Sequence, residues 1–234
     1  MYNKDSLLKV WRAVPYNSHR YWAFKRENGT WFHSDSVHST KQVYNNFEEF
    51  YHIITTLKVH DIHVKKTVMG GREWVIDVDH DETDPAKIAL KNIVAHCTLV
   101  NFFGKDMCTK ILFSGNRGLH VWLSCAPGKF DMDISPRLRS YYYDNVFKVP
   151  KNVNKVLLKP GSFLYCFFLT FNNTHVQRQI AKLYPNKIVS DHNWLLKEFY
   201  PIIDRQVFTS TKQIRAPYSY NSKGRQFSAD HHYE

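Results

Sequence analysis

The segment Arg72–Glu82, REWVIDVDHDE, limits what this chain can fold into more than any other. Trp74, Val75, Ile76 and Val78 make a short, nearly continuous apolar run, which reads as a buried strand. Asp77 and Asp79 interrupt that run. Side chains alternate along a strand, so the two acids share one face while Trp74, Ile76 and Val78 share the other. Their roots are ~7 Å apart, close enough for both carboxylates to converge on one point. Two ionised, partly desolvated carboxylates repel, so either one takes up a proton or a cation sits between them. A hard divalent cation held by one or two carboxylates plus substrate phosphate oxygens is the usual magnesium arrangement. The alternative is that the strand ends at Val78 and both acids are solvated before the next element.

The surrounding pattern alternates strands with helices, which predicts an α/β domain without a clean internal boundary. RYWAFKRENGTWFH, residues 20–33, is a hairpin turning at Asn28-Gly29. Thr40 is a candidate helix cap, followed by Val43, Phe47, Phe50, Ile54 and Leu57 on one helical face. VHDIHV, residues 59–64, is a short strand, and Gly70-Gly71 a turn. Asp84-Pro85 starts a helix, with Asp as N-cap and Pro in the first turn. Ala86, Leu90, Ile93, Cys97 and Val100 form its apolar stripe. Strands flank SGNRG, helical pieces fall near 135–147, 175–184 and 191–199, and a strand is expected at about 202–208. The domain is expected to span residues 1–227, with 228–234 a solvated tail.

The chain has 234 residues, 43% hydrophobic and 15% aromatic, enough for a sizeable core. A net charge of +11 favours a polyanionic partner, unless it reflects compositional bias alone. Cys97, Cys108, Cys125 and Cys166 show no CxxC pair, so they read as reduced thiols in an intracellular protein, with no structural zinc expected. Lys9 and Arg12 interrupt the only early apolar run, so no N-terminal signal is expected. The longest apolar stretch, Phe163 to Phe171, is too short to span a bilayer, and no membrane role is expected.

Two further constellations carry chemistry. In SGNRGLHVWL, Gly115 and Gly118 let backbone N–H groups approach a ligand, Ser114 offers a hydroxyl and Arg117 a planar fork suited to phosphate. His120, on the following strand, can reach back toward the turn. This is a phosphate cradle without a Walker sequence, or else an ordinary glycine-rich hairpin. In IIDRQVFTSTKQIRAPYSYNSKG an apolar run again delivers an aspartate, Asp204, followed by Arg215, Asn221 and Lys223; the other reading is a surface acid and a polar loop.

The three pieces in this order, WVIDVDHDE, FSGNRGLHVWL and IDRQV…IRAPYSYNSKG, resemble the three motifs of the catalytic subunit of archaeo-eukaryotic DNA primases, and most closely the baculovirus branch of that family. The likeness runs from about Arg20 to Phe227. It implies a mixed-sheet α/β primase fold with the three motif strands on one face and helices between the second and third motifs. It implies metal-binding, catalytic carboxylates at Asp77, Asp79 and Asp204, with two Mg2+ or Mn2+ ions. It also implies nucleotide contacts from Ser114, Gly115, Arg117, Gly118, His120 and Arg215. The activity implied is synthesis of short RNA primers from ribonucleoside triphosphates on single-stranded DNA. The implied partners are an accessory primase subunit and, further out, a replicative helicase; the implied location is the host nucleus. Asn116 stands where cellular members are often basic, Asn221 where many carry His, and Cys97 and Cys108 do not reproduce the zinc cluster of cellular small subunits. A catalytically silent nucleic-acid-binding subunit and a metal-dependent nuclease are the competing readings.

Overall fold

The computed structural model describes residues 2–39, 42–151, 153 and 158–233. The chain opens with helix α1 (Lys4–Ala13), which the sequence pattern above did not single out. Its signal is a capping box, in which Asn3 and Ser6 bond each other's backbone, before Leu7, Val10 and Trp11 on one buried face. The hairpin β1 (Arg20–Arg26) and β2 (Trp31–His33) forms as expected, with Gly29 at φ +82° in the turn. Helix α2 (Phe47–Thr56) is capped by Asn46. The helix therefore starts later than expected, with Val43 preceding it, and the proposed cap Thr40 itself lies outside the described residues.

Strand β3 (Val59–Thr67) pairs with β1 and with the short β7 (Ile214–Arg215), giving a first sheet in the order β2-β1-β3-β7. The second sheet runs β10-β5-β6-β4, from β4 (Val75–Val78), the hairpin β5 (Cys108–Phe113) and β6 (Leu119–Leu123), and β10 (Ala229–Asp230). A third pairing joins β8 (Tyr220–Asn221) to β9 (Gln226–Phe227). The α/β class holds, but every ladder among the described residues is antiparallel, which corrects the expected mixed sheet. The chain leaves β4 through α3 (Pro85–Phe103), capped at Asp84, and returns as a hairpin whose second strand docks on β4. The buried face of α3 is broader than the proposed stripe, taking in Val94, Ala95 and Leu99, while Ala86 is exposed.

Strand β4 is covered on both faces. Ile76 and Val78, with Leu119, Val121 and Leu123 of β6, pack into a helical core. That core is made by Leu90 and Leu99 of α3, Phe163 and Phe167 of α5 (Phe163–Leu169), Val176 and Ile180 of α6 (Thr174–Leu183), and Leu195 and Phe199 of α7 (His192–Phe199). On the opposite face Val75, Leu112 and Trp122 join a second core with Trp22, Phe24, Ile62, Val64, Leu7 and Phe50. Helix α5 falls within the apolar run Phe163 to Phe171, and Ser162 caps it. With α4 (Pro136–Val146), α5 to α7 supply the helices between the second and third motifs.

Buried charge ties these layers together at the entrance to β4. Arg20 of β1 is fully buried and grips Glu73 through both carboxylate oxygens, at 2.7 and 3.0 Å. It also donates to the carbonyls of Pro15 and Lys65. Arg72 donates to the carbonyls of Val207 and Lys212, and Arg139 of α4 to those of Arg72 and Met132. The terminal nitrogens of these three buried cations meet carbonyls or a carboxylate, which offsets their removal from water, while each Nε is buried without a partner.

Two sequence expectations are corrected here. The strand at 202–208 does not form: Ile203 makes a single bridge to Val78, and Asp204 then caps the short helix α8 (Arg205–Thr209). The expected tail at 228–234 is docked as far as it is described. Ser228 is buried and bonds Ser219, β10 pairs with Leu112 and Phe113, and the His231 N–H reaches the Ile111 carbonyl. Its side chains at 229 and 230 stay exposed, so the sequence pattern is that of a solvated segment while the backbone completes a sheet edge.

Candidate active site

The end of β4 is where cover on the second face stops. Asp77 is 23% exposed and Asp79, one step beyond the strand, 55%. Asp77 lies opposite His120 on β6, with Oδ1 3.4 Å from His120 Nε2. Asp79 Oδ2 lies 3.5 Å from Arg117 Nη2, and its Oδ1 accepts the His80 N–H at 2.9 Å. Both contacts to the basic side chains are long, so neither carboxylate is locked into a tight pair. The third acid arrives alongside: the Asp204 N–H donates to the Asp77 carbonyl at 2.8 Å, and the Asp79 N–H to the Ile202 carbonyl at 3.3 Å. Asp204 Oδ1 is engaged by the Val207 N–H as the cap of α8.

SGNRG closes the β5–β6 hairpin directly over this strand end. Ser114 Oγ accepts the N–H groups of Asn116 and Gly118, so the hydroxyl oxygen shapes the turn. Gly118 is required by contact: a Cβ there would sit 1.7 Å from the Val78 carbonyl oxygen. Gly115 takes φ +80°. Asn221 holds the turn from the other side, with Nδ2 donating to the Ser114 carbonyl at 3.0 Å and Oδ1 accepting the Lys223 N–H at 3.1 Å. At this position the asparagine is a buried staple between two loops.

Arg215 enters from the first sheet. Its Nη1 meets Asp61 Oδ1 at 2.6 Å and the Tyr220 carbonyl. Burial works to raise the Asp61 pKa, but the Ser222 N–H and Arg215 outweigh it and hold the carboxyl below its ordinary value. A cleft of about 250 Å3 gathers Asp77, Asp79, Ser114, His120, Arg215 and Asn221. Of the anticipated residues, Asp204, Gly115, Arg117 and Gly118 do not line it; Arg117 reaches it through Asp79, and Asp204 is joined to Asp77 by a backbone bond.

Sequence reasoning missed three contributors. Asp61 positions Arg215. Asn92 of α3 bonds His80 and the Arg117 carbonyl, at 3.0 and 3.1 Å, linking the helix to both loops. His63 lines the cleft with both ring nitrogens unpartnered, and burial drives its pKa well below the ordinary value, so it is neutral. The signal for two of them was present: in VHDIHV, Asp61 and His63 occupy one strand face opposite Ile62 and Val64, the same alternation that marks Asp77 and Asp79.

The donor set suits a hard divalent cation: carboxylate oxygens, weakly engaged, beside groups able to hold phosphate. Among the described residues no three His, Cys, Asp or Glu side chains converge as a complete metal cage. The four cysteines are unpaired thiols. Among the described residues no helix is long and apolar enough to cross a membrane.

Fold and site together define a class: a two-core α/β protein with one acidic and basic cleft at the open end of a doubly covered strand. No family model matches the chain. Over 231 residues it is 36% identical to late expression factor 1 of Orgyia pseudotsugata multicapsid polyhedrosis virus, covering 97% of this chain and 86% of that one. Over 231 residues it is 32% identical to a protein named DNA primase from Autographa californica nuclear polyhedrosis virus, covering 97% of this chain and 80% of that one. The chain belongs to the baculovirus late expression factor 1 family.

Proposed function

We propose that this protein is the catalytic subunit of a viral DNA primase, a nucleotidyltransferase that joins ribonucleoside triphosphates into short RNA primers on single-stranded DNA. The observation that carries the reading is the meeting, at one strand end, of Asp77 and Asp79 with the SGNRG turn, His120 and Arg215, with the backbone of Asp204 bonded to that of Asp77 beside them. The relatives' names point the same way.

Asp77 and Asp79 would hold Mg2+ or Mn2+, with Asp204 contributing its uncapped oxygen. The bound metal would supply Lewis-acid stabilisation of the α-phosphate and a more acidic 3′-hydroxyl. The chain's own residues do the rest. Arg117 and His120 present cationic or hydrogen-bonding groups to the departing pyrophosphate. Arg215, oriented by Asp61, closes the opposite wall. Asp61 therefore acts as a positioning residue. An accessory primase subunit, association with a replicative helicase and a place in the host nucleus belong to the same proposal.

Incubation with poly-dT, ATP and manganese tests it. Appearance of oligoadenylate primers is the expected result. No product beside intact DNA binding favours a silent subunit, and loss of template favours a nuclease.

A further inference from the structure

One face of the first sheet runs from the cleft wall out to the half-exposed Trp31. Registered pairing places His33, Ala23, His63 and Arg215 in one row across all four strands, β2, β1, β3 and β7. The adjacent row is Trp31, Lys25 and Asp61. Two facts set this face apart from an ordinary solvated one. Trp31 is 41% exposed at the rim, although its neighbours on the other face, Trp22 and Phe24, are fully buried. Its ring stands edge-on to His63, at 5.0 Å and 82°, and nearly parallel to His33, at 6.0 Å and 21°, so it spans the small Ala23 between them. His63 is itself a wall of the cleft.

The second fact is unmet hydrogen bonding. Nδ1 of His33 and both ring nitrogens of His63 are sequestered without a partner. Burial lowers the pKa of both rings, so each is a neutral imidazole with one donor and one acceptor. Sequestered polar nitrogens without partners are costly and call for a ligand or water. Lys25 adds a cation to the same face and reaches Ser222 at 3.1 Å, in the loop that follows Arg215.

We propose that this face is the single-stranded DNA track, with Trp31 as the platform on which a template base stacks before the strand enters the cleft. This rests on the polymerase reading above and assigns its template path. A flat indole at the rim stacks on any base without sequence preference. The net charge of +11 complements a polyanion, and continuity with the carboxylate cleft through His63 distinguishes this aromatic from a scattered surface residue.

The test compares wild type with Trp31→Ala, Trp31→Phe and Lys25→Ala. Binding is measured to an oligothymidylate and, separately, to manganese-ATP, at salt of about 50 and about 200 mM. Trp31→Ala is expected to weaken oligothymidylate binding by roughly 5- to 150-fold, the span of one base-stacking contact. The factor should be similar at both salts, with nucleotide affinity and melting temperature unchanged. Trp31→Phe should restore most of the loss, and Lys25→Ala should flatten the salt dependence. Wild-type-like DNA binding by a folded Trp31→Ala protein overturns the track. So does a matching loss of nucleotide affinity, which would make Trp31 a contact for the incoming nucleotide. So does failure of the wild type to bind the oligonucleotide. Primer synthesis by wild type is scored separately: its absence alongside Trp31-dependent DNA binding would overturn the polymerase reading and leave the track supported.

Discussion

The backbone N–H of Asp204 donates to the carbonyl of Asp77 at 2.8 Å. Residues 127 positions apart in sequence are thus registered by a main-chain bond, so the spacing of their backbones does not depend on side-chain rotamers. Buried backbone bonds of this kind resist distortion when a carboxylate is altered. Site variants should therefore report on chemistry and not on folding.

Asp79→Asn tests this most directly. The amide oxygen can still accept the His80 N–H. Melting temperature without metal should be unchanged or higher, because a like-charge repulsion with Asp77 is removed. Primer synthesis should fall by at least ~10³, the scale for groups that stabilise transferring charge. Near-normal synthesis by the variant would end the carboxylate assignment.

Arg117→Lys preserves charge but loses the planar fork. The nucleotide KM should rise about tenfold, consistent with ~1–3 kcal/mol for a charge-assisted hydrogen bond. DNA affinity should hold. Steady-state kinetics beside oligonucleotide binding separate the two, and a drop in DNA affinity alone would reassign the turn as a template contact.

Gly118→Ala should damage the site through the backbone. The added Cβ would overlap the Val78 carbonyl, so β6 must shift off β4. The expected cost is ~1–3 kcal/mol or more, as for overpacked interiors, together with loss of primer synthesis. Urea unfolding of the variant measures it; wild-type stability would mean the hairpin sits higher over the strand than described.

Glu73→Ala leaves Arg20 buried without its carboxylate. Breaking one side of a buried pair costs ~3–5 kcal/mol, since the remaining charge is uncompensated. Denaturant midpoints for Glu73→Ala and the double variant Arg20→Met/Glu73→Leu should differ, with the double variant recovering much of the loss. Equal loss in both would place the stability in shape and not in charge.

Acid should loosen the docked C-terminal segment. His96 Nδ1 lies 2.9 Å from His231 Nδ1, and burial, with neighbouring histidine charge, brings both rings down to about 4. Their ordinary value is 6.5, so between about 4 and 6.5 the unfolded chain binds protons that the folded chain does not. Stability contributed here is present above pH 6.5 and lost as pH falls through that window. Melting temperatures between pH 7 and about 4.5 should decline, and less steeply in His96→Asn/His231→Asn. An identical slope in that variant would assign the acid response to other groups, such as His63 and His80, whose pKa values burial also lowers.

Local sequence determined the elements wherever periodicity and capping agreed. Asp84-Pro85 marks the start of α3, Asn28-Gly29 the hairpin turn, and the alternation around Asp77 and Asp79 puts both acids on one face. These features depend on residues within a few positions, where dihedral preference and side-chain direction operate. Tertiary structure decided what those acids meet. The 3.4 Å approach of His120 needs β6 to pair with β4 in one register, and the cleft wall needs Arg215 held by Asp61 from another sheet. The two misread segments show the same division. Residues 202–208 carry an apolar run that suits a strand, but Asp204 can cap a helix, and the Val207 N–H wins its carboxylate. Residues 229 and 230 carry exposed side chains and are held by backbone pairing to the free edge of β5, with the Tyr218 hydroxyl donating to Asp230 Oδ1 at 2.7 Å; side-chain patterning does not encode that edge.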